Sequence, residues 1–143
     1  MIYSLLTSLI AFLLVFITDI ILISTHTVQH NIILNVFIEE IAKFLAVYFT
    51  FFKIFSNKSN FLMVGLFYGI IEFLLYFIIF HGYGINFVLI RYLVIIIHII
   101  TFINLYYAMY LLKVKRNVLV SILILITNMV IHSFWNYFTN YIL

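Results

Sequence analysis

Apolar residues run along this chain in long stretches that are separated by short polar segments. A helix needs about 20 largely apolar residues to cross the hydrocarbon core of a bilayer. The pattern therefore predicts an all-α protein, an integral membrane helical bundle of about five transmembrane helices, forming a single transmembrane domain over residues 1–143. The predicted spans are Ile2–Ile23, Val36–Phe55, Phe61–Phe80, Phe87–Leu112 and Val118–Ile142.

The amino-acid composition of the chain is also typical of a membrane protein. The 143 residues are 68% hydrophobic and 8% charged, with a mean hydropathy of +1.32, far from the composition of soluble domains. The basic residues are scattered through short loops and form no stripe that could follow phosphates, so nucleic acid is excluded as a partner. The chain has no cysteine, and catalysis would have to use carboxylate, imidazole or hydroxyl groups.

The basic residues predict how the chain is oriented in the membrane. Lys53 and Lys58 flank the second loop, and the fourth loop holds Lys113, Lys115 and Arg116. Cytoplasmic loops carry an excess of lysine and arginine. We therefore expect the N-terminus to be cytoplasmic and the C-terminus to lie outside. The first apolar run has no basic segment before it and is interpreted as a retained span.

Most ionisable residues inside the predicted spans fall in the outer leaflet. At a rise of 1.5 Å per residue, Glu72 lies about 12 Å below the outer end of its helix and His98 about 16 Å below the start of its own. A charge in hydrocarbon is costly and marks a paired, wet or reactive position. We expect a shared cavity towards the outer face, formed by Asp19, Glu39, Glu40, Glu72, Arg91, His98, His132 and Asn136.

The segment Ile38 to Phe49 places two adjacent carboxylates and a lysine in an apolar run. Glu39 and Lys43 are i,i+4 with the glutamate first, the favourable order for an ion pair. This spacing predicts that Glu40 is the less compensated carboxylate. A plain ion-pair network near the headgroups is an equally good interpretation of this segment alone.

Helical spacing also assigns faces to the other polar residues. Gly65, Gly69 and Glu72 lie on one stripe, and the two glycines form a GxxxG face that lets another backbone approach closely. Asn128, His132 and Asn136 follow at i, i+4 and i+8 on one face of the last helix. Arg91 is two turns before His98, and a structural salt bridge between Arg91 and Asp19 is expected.

Two chemistries fit this set of residues. A glutamate beside imidazoles can act as a general base on water and return the proton to a leaving amine. Alternatively, Glu72, His98 and His132 form a three-ligand set of the kind that binds a catalytic zinc with water in the fourth position. Both predict peptide-bond hydrolysis within the membrane, and the residues leave the metal-free and zinc-dependent forms open.

Two non-proteolytic interpretations remain beside the endopeptidase. Buried histidine and asparagine often only hydrogen-bond across helices, which would suit a non-catalytic membrane scaffold or immunity-type protein. An uncompensated Glu40 speaks against a pure scaffold. A small transporter could use Glu72 and the histidines as a proton relay, but the inner leaflet is almost devoid of polar residues.

The order of four short motifs resembles the PrsW-type intramembrane proteases, a superfamily with the CAAX prenyl endopeptidases and the Aph subunit of gamma-secretase. The motifs are EEIAK at Glu39 to Lys43, GLFYGIIE ending at Glu72, RYLVIIIH from Arg91 to His98, and HSFWN from His132 to Asn136. The chain departs from the family pattern in having Tyr68 where phenylalanine is usual and in lacking a tryptophan after His98.

The resemblance implies cleavage of a membrane-anchored protein, such as an anti-sigma factor, near the outer face of a prokaryotic plasma membrane. It also implies roles for the candidate catalytic residues. Glu39 and Glu40 would activate water, Asn136 would assist the oxyanion or orient a histidine, and the site would be completed by Glu72, His98 and His132. The expected partners are this membrane-anchored substrate and the lipid bilayer.

Overall fold

The computed structural model describes residues 2–24, 32–54, 58–79, 90 and 92–142. Within these ranges the chain forms five long α-helices and no strand, which confirms the predicted all-α class. The helices are α1 (Ile2–Ser24), α2 (Ile32–Ile54), α3 (Lys58–Ile79), α4 (Val94–Lys113) and α5 (Val118–Ile142).

The helix boundaries differ from the prediction mainly at the N-termini. The second helix begins at Ile32, before the predicted Val36, and the third begins at Lys58, before the predicted Phe61. Polar residues near these starts suggested loop, but Asn35 is exposed on the helix surface, where an amide is tolerated. The fourth helix begins at Val94, after a turn at Leu93 whose N–H donates to the carbonyl of Ile90 over 3.1 Å. Its predicted start, Phe87, lies outside the described residues.

A tight turn joins α4 to α5 and makes them antiparallel neighbours. Arg116 has a φ of 53°, the left-handed conformation that commonly ends a helix. The N–H of Asn117 then donates to the carbonyl of Leu111 over 2.8 Å. The side-chain oxygen of Asn117 accepts from the N–H of Val120 over 3.2 Å and caps the start of α5. This connection brings His98 and His132 to the same end of the bundle.

The predicted GxxxG face is confirmed as the contact between α3 and α4. A methyl group added at Gly65 would lie 2.6 Å from the Cα of Ile99 and 2.7 Å from the carbonyl oxygen of His98. One added at Gly69 would lie 2.7 Å from the Cα of Ile95. Because these distances are shorter than any contact a real Cβ tolerates, only glycine permits this approach. It holds His98 directly against α3.

Hydrogen bonds between helices fix the remaining contacts. Ser8 on α1 donates to the carbonyl of Val64 on α3 over 2.9 Å. Between α4 and α5, the amide of Asn104 donates to the side-chain oxygen of Asn128 over 2.9 Å, and the amide of Asn128 donates to the carbonyl of Thr101 over 2.9 Å. Such polar contacts commonly hold helices together in membrane bundles.

Polar side chains are concentrated inside the bundle and large apolar ones outside. The buried polar residues include Glu40, Lys43, His98 and His132, all with no exposed surface. Large apolar side chains are exposed on every described helix, among them Ile2, Phe49, Ile78, Ile96 and Phe134. This distribution is the reverse of the one expected for a water-exposed surface rich in charge.

Two of the described helices are long and apolar enough to cross a membrane, Val94–Lys113 and Val118–Thr139. Shorter apolar stretches occupy Ile2–Thr18 and Ser59–Leu75. Only 17% of the apolar window in the last helix is buried, so most of its apolar surface faces outward. Length and composition thus indicate membrane association for these two helices.

Candidate active site

Seven polar side chains from four helices meet between the described helices. Each helix carries its residues on the face that packs against the others, so residues far apart in sequence come within hydrogen-bonding distance. The cluster consists of Glu39, Glu40 and Lys43 from α2, Tyr68 and Glu72 from α3, His98 from α4, and His132 from α5.

The ammonium of Lys43 lies at the centre of the cluster and is fully buried. Its Nζ is 2.7 Å from Oε1 of Glu39, 2.8 Å from Oε1 of Glu40 and 3.1 Å from Nδ1 of His98. An ammonium has three N–H donors and no acceptor. The three contacts therefore use all of its donors.

The prediction that Glu40 would be poorly compensated is wrong. Its Oε1 accepts from Lys43 and also lies 2.9 Å from Nδ1 of His132. The sequence spacing on α2 could show only the partner one turn away on the same helix, whereas His132 comes from α5. The second oxygen of Glu40, Oε2, is buried without a hydrogen-bond partner among the described residues.

His98 is held at both ring nitrogens. The ammonium of Lys43 can only donate, so Nδ1 of His98 accepts. The proton of the neutral ring is then on Nε2, which donates to Oε2 of Glu72 in a short contact. The ring of Tyr68 also packs against His98, with centroids 4.7 Å apart. Neither nitrogen of His98 is left open.

His132 is held at one ring nitrogen and open at the other. The carboxylate of Glu40 can only accept, so Nδ1 of His132 donates to it. In the neutral ring Nε2 then carries a bare lone pair. This atom is buried, has no hydrogen-bond partner among the described residues, and lies 3.6 Å from Oε2 of Glu39. The two histidines thus have opposite tautomers.

Glu39 is oriented from two sides. Its Oε1 accepts from Lys43 and from the hydroxyl of Tyr68, the latter over 3.2 Å. Its Oε2 is left facing His132. The side chain of Glu39 is 14% exposed, as is that of Glu72, whereas Lys43 and Glu40 are 0% exposed. Glu39 and Glu72 therefore form the accessible side of the cluster.

Two groups within the cluster could hold a metal ion. They are Glu39, Glu72 and His98, and Glu39, Glu40 and His132; in each group one ligand atom per residue lies within 4.8 Å of the others. Carboxylate and imidazole groups are ligands that zinc accepts. The predicted trio of Glu72, His98 and His132 is divided between the two groups, with Glu72 and His98 in one and His132 in the other.

The structure brings together five of the six predicted catalytic residues: Glu39, Glu40, Glu72, His98 and His132. The sixth, Asn136, lies one turn beyond His132, half-buried, and its carbonyl oxygen accepts from Thr139 over 3.2 Å. The role of Asn136 in supporting the oxyanion stays a prediction. The expected salt bridge of Asp19 with Arg91 lies outside the described residues.

One member of the cluster was missed from the sequence. Tyr68 entered the sequence comparison only as a departure from the family pattern, yet its hydroxyl binds Glu39 and its ring lies 4.9 Å from the Lys43 ammonium. The sequence indicated Tyr68 only by its place one turn before Glu72 on the same helix face.

The indole N–H of Trp135, one turn beyond His132, is also buried without a partner among the described residues.

The gap between Nε2 of His132 and Oε2 of Glu39 is the part of the cluster at which water could bind. In the neutral form of His132, the lone pair of Nε2 faces Oε2 of Glu39 at 3.6 Å, which is too long for a direct hydrogen bond. A water molecule at about 2.8 Å from both atoms would donate one proton to each. This pair of acceptors can polarise water, and Glu40 holds the histidine in the tautomer that this requires.

Comparison of the chain with protein-family models, curated proteins and solved structures gave no match. Any function is therefore argued from the residues and their geometry, and the resemblance of the four motifs to PrsW-type proteases stays a prediction.

Proposed function

We propose that this protein is a PrsW-like intramembrane endopeptidase that hydrolyses peptide bonds of a membrane-anchored protein substrate. The observation that carries the proposal is the open Nε2 of buried His132 facing Oε2 of Glu39 across 3.6 Å. A general base must lie within hydrogen-bond reach of the water that it activates, and water and substrate would enter from the side of Glu39 and Glu72, which are 14% exposed.

The proposal includes a multi-pass bundle of five spans in a prokaryotic plasma membrane. Five helices of 20 to 25 residues would each cover about 30 Å or more at 1.5 Å per residue, the thickness of the hydrocarbon core. A polar interior under an apolar exterior suits lipid better than water. By the positive-inside rule the N-terminus is cytoplasmic and the site is towards the outer face.

The reaction proceeds in two steps. Nε2 of His132 takes a proton from water while Oε2 of Glu39 accepts the other O–H, and the water oxygen adds to the scissile carbonyl carbon. The tetrahedral intermediate then breaks its C–N bond as the proton on Nε2 passes to the leaving nitrogen. The products are a carboxylic acid, which keeps the second proton of the water, and an amine, and the histidine returns to its starting tautomer.

The residues around this pair have supporting roles. Glu40 fixes the tautomer of His132, as the carboxylate of a catalytic triad does. Lys43 and Tyr68 occupy one oxygen of Glu39 and leave the other for water. Glu72 holds His98 against Lys43, so this pair orients the cluster from the side of α3 and α4.

The same cluster also supports a zinc-dependent form of the reaction. Either of the two metal-capable groups provides three ligands and includes Glu39, and three protein ligands with an open fourth position are typical of catalytic zinc. The metal would lower the pKa of its bound water and polarise the scissile carbonyl. Metal content and chelator sensitivity distinguish this form from the metal-free form, in which His132 and Glu39 activate the water.

One observation favours a second candidate, a non-catalytic scaffold or immunity-type membrane protein of the same fold. Glu40 is paired with Lys43 and His132, so the cluster can be understood in part as a network that joins four helices. A scaffold has no requirement for the open nitrogen of His132, and substitution of that residue separates the two functions.

The experiment compares new protein termini in membranes of cells that make the wild-type protein, Glu39→Gln, Glu40→Gln or His132→Ala. Terminal-selective mass spectrometry should find cleavage sites within or beside single spans that appear with wild type and disappear with all three variants. Thr127→Val, at an exposed position of α5, is the matched control and should cleave as wild type does. Equal termini with all proteins would support the scaffold.

A further inference from the structure

The Lys43 ammonium contacts the residue that the two metal-capable groups share and one further residue of each group. Its contacts are Oε1 of Glu39, Oε1 of Glu40 and Nδ1 of His98, at 2.7, 2.8 and 3.1 Å. Glu39 belongs to both metal-capable groups, Glu40 to one and His98 to the other. All three atoms are of the kinds that ligate divalent metals, and all three point at the same nitrogen.

These three atoms are already in the protonation states that a metal requires. Metal ligands must be deprotonated carboxylates and bare imidazole nitrogens. Because the ammonium only donates, Nδ1 of His98 has its lone pair directed at Nζ, and both carboxylates direct an oxygen there. A zinc ion needs ligands at about 2.0–2.2 Å, so the two carboxylate oxygens would have to approach by about 0.5–0.8 Å from their distances to Nζ, and Nδ1 of His98 by about 1 Å.

The charge of the cluster points to the same conclusion. Glu39, Glu40 and Glu72 contribute three negative charges and Lys43 one positive charge, so with neutral histidines the cluster carries two excess negative charges. Buried charge requires compensation, and without Lys43 the excess would rise from two negative charges to three. Lys43 is the cation that the chain itself provides at this point, and it is 0% exposed.

Aromatic contact stabilises the ammonium in this place. The face of Tyr68 lies 4.9 Å from Nζ, within the range of a cation–π interaction. The hydroxyl of the same ring binds Glu39, so Tyr68 supports the ammonium and one of its carboxylate partners together. These contacts therefore stabilise a lysine ammonium from α2 at this position.

We infer that Lys43 is the resident cation of this site and that its ammonium keeps divalent metals out. Removing the ammonium converts its place into a metal site with Glu39, Glu40 and His98 as ligands and water in the fourth position. The wild-type site then works without metal, by the metal-free form of the proposed reaction. The inference about metal binding does not depend on proteolysis, because it is measured on the purified protein alone.

The test measures zinc bound to purified wild type, Lys43→Met and Lys43→Gln in detergent, after exposure to zinc and desalting. Wild type should retain less than about one zinc per ten chains, and the variants close to one per chain. Loss of a positive charge a few ångströms from the metal should tighten zinc binding by about 100-fold or more. Mass spectrometry of metal content and calorimetric titration give these values.

Lys113→Met is the matched control. Lys113 also lies over a tyrosine ring, with Nζ 3.7 Å from the centroid of Tyr48, and also donates to an oxygen, the carbonyl of Tyr48 over 2.9 Å. Because Lys113 lies outside the cluster, its substitution should leave zinc binding as in wild type.

Lys43→Met leaves two carboxylates without their cation and could lower the yield of folded protein. In that event zinc added during purification should restore the folded yield of Lys43→Met and Lys43→Gln, and should not change that of wild type. Retention of one zinc per chain by wild type would overturn the inference. So would variants that take up no more zinc than wild type and are not rescued by it.

The two proposals can fail separately. Wild type that cleaves no membrane protein while Lys43→Met gains a zinc would refute the endopeptidase and leave the resident cation intact. Wild type that cleaves its substrate and also holds one zinc per chain would support the endopeptidase and refute the inference that Lys43 keeps metal out.

Discussion

His98 and His132 are equally buried and lie with ring centroids 5.5 Å apart, but their surroundings differ. His98 is held at both nitrogens, by Lys43 and Glu72. His132 is held only at Nδ1, by Glu40, and its Nε2 faces Glu39 at 3.6 Å. Burial therefore does not distinguish the two histidines, whereas the open nitrogen of His132 does. His98 is expected to support the site, and His132 to take part in the reaction.

The largest expected effect is on activity, at His132. His132→Gln removes the basic nitrogen and keeps an amide donor for Glu40, so cleavage should fall by about 10²–10⁴-fold, the usual contribution of a general base. The free energy of unfolding should fall by less than about 2 kcal/mol, because only one charge-assisted hydrogen bond is altered. Cleavage of a membrane substrate and unfolding in denaturing detergent measure the two quantities.

His98→Gln is the comparison for this prediction. If it loses as much activity as His132→Gln at equal stability, the distinction between the two histidines is wrong.

The next effect is on stability, at His98. His98→Leu leaves one N–H of Lys43 and the carboxylate of Glu72 without their shared partner, and breaking a buried charged pair in this way should cost about 3 kcal/mol. His132→Leu should cost less, about 1.5–2 kcal/mol, because only Glu40 loses a contact. Unfolding titrations of the two leucine variants, run in parallel, check the order. A larger loss from His132→Leu would contradict it.

A smaller effect is expected where α3 touches the backbone of His98. Gly65→Ala would push a methyl group against Ile99 and the His98 carbonyl, and such overpacking should cost about 1–3 kcal/mol. The shift should disturb His98 and leave the tautomer of His132 unchanged, which ¹⁵N NMR of labelled histidines can show. Leu74→Met, at an exposed position of α3, should change stability by less than about 0.5 kcal/mol. Similar losses in both variants would contradict the close approach of α3 and α4.

The smallest effect is expected at Asn128, one turn before His132. Asn128→Leu removes the hydrogen bonds to Asn104 and to the carbonyl of Thr101. Polar contacts between membrane helices are worth about 0.6 kcal/mol on average and up to about 1.7, so the free energy of unfolding should fall by this amount with activity retained. Loss of activity without loss of stability would place Asn128 in the reaction instead of in the helix contact.

The sequence predicted the helices better than their ends. Apolar runs of about 20 residues leave little choice of structure, because they are too long for an ordinary strand and suit a helix. The predicted ends of the helices were placed at polar residues. This placement was wrong where a polar residue, such as Asn35 or Lys58, is itself part of a helix. A close helix contact at Gly65 and Gly69 could be predicted because the two glycines lie on one face, but the sequence did not show that α4 is the partner.

The members of the site were also largely predictable, but their pairing was not. A glutamate or histidine in an apolar run is costly enough to indicate a role by itself. The spacing on one helix, however, shows only partners on that helix. Glu40 is bound to His132, 92 residues away, and Tyr68 reaches Glu39 from another helix. Such contacts depend on how four helices are rotated against one another.

The most direct test of the central claim is hydrolysis itself, followed in water enriched in ¹⁸O with the purified protein and a single-span substrate in lipid vesicles. Wild type should create new carboxyl termini that carry one ¹⁸O atom, and His132→Gln should create almost none while remaining folded. Equal labelling by wild type and His132→Gln, or no new termini with any substrate that the membrane comparison identifies, would contradict the account.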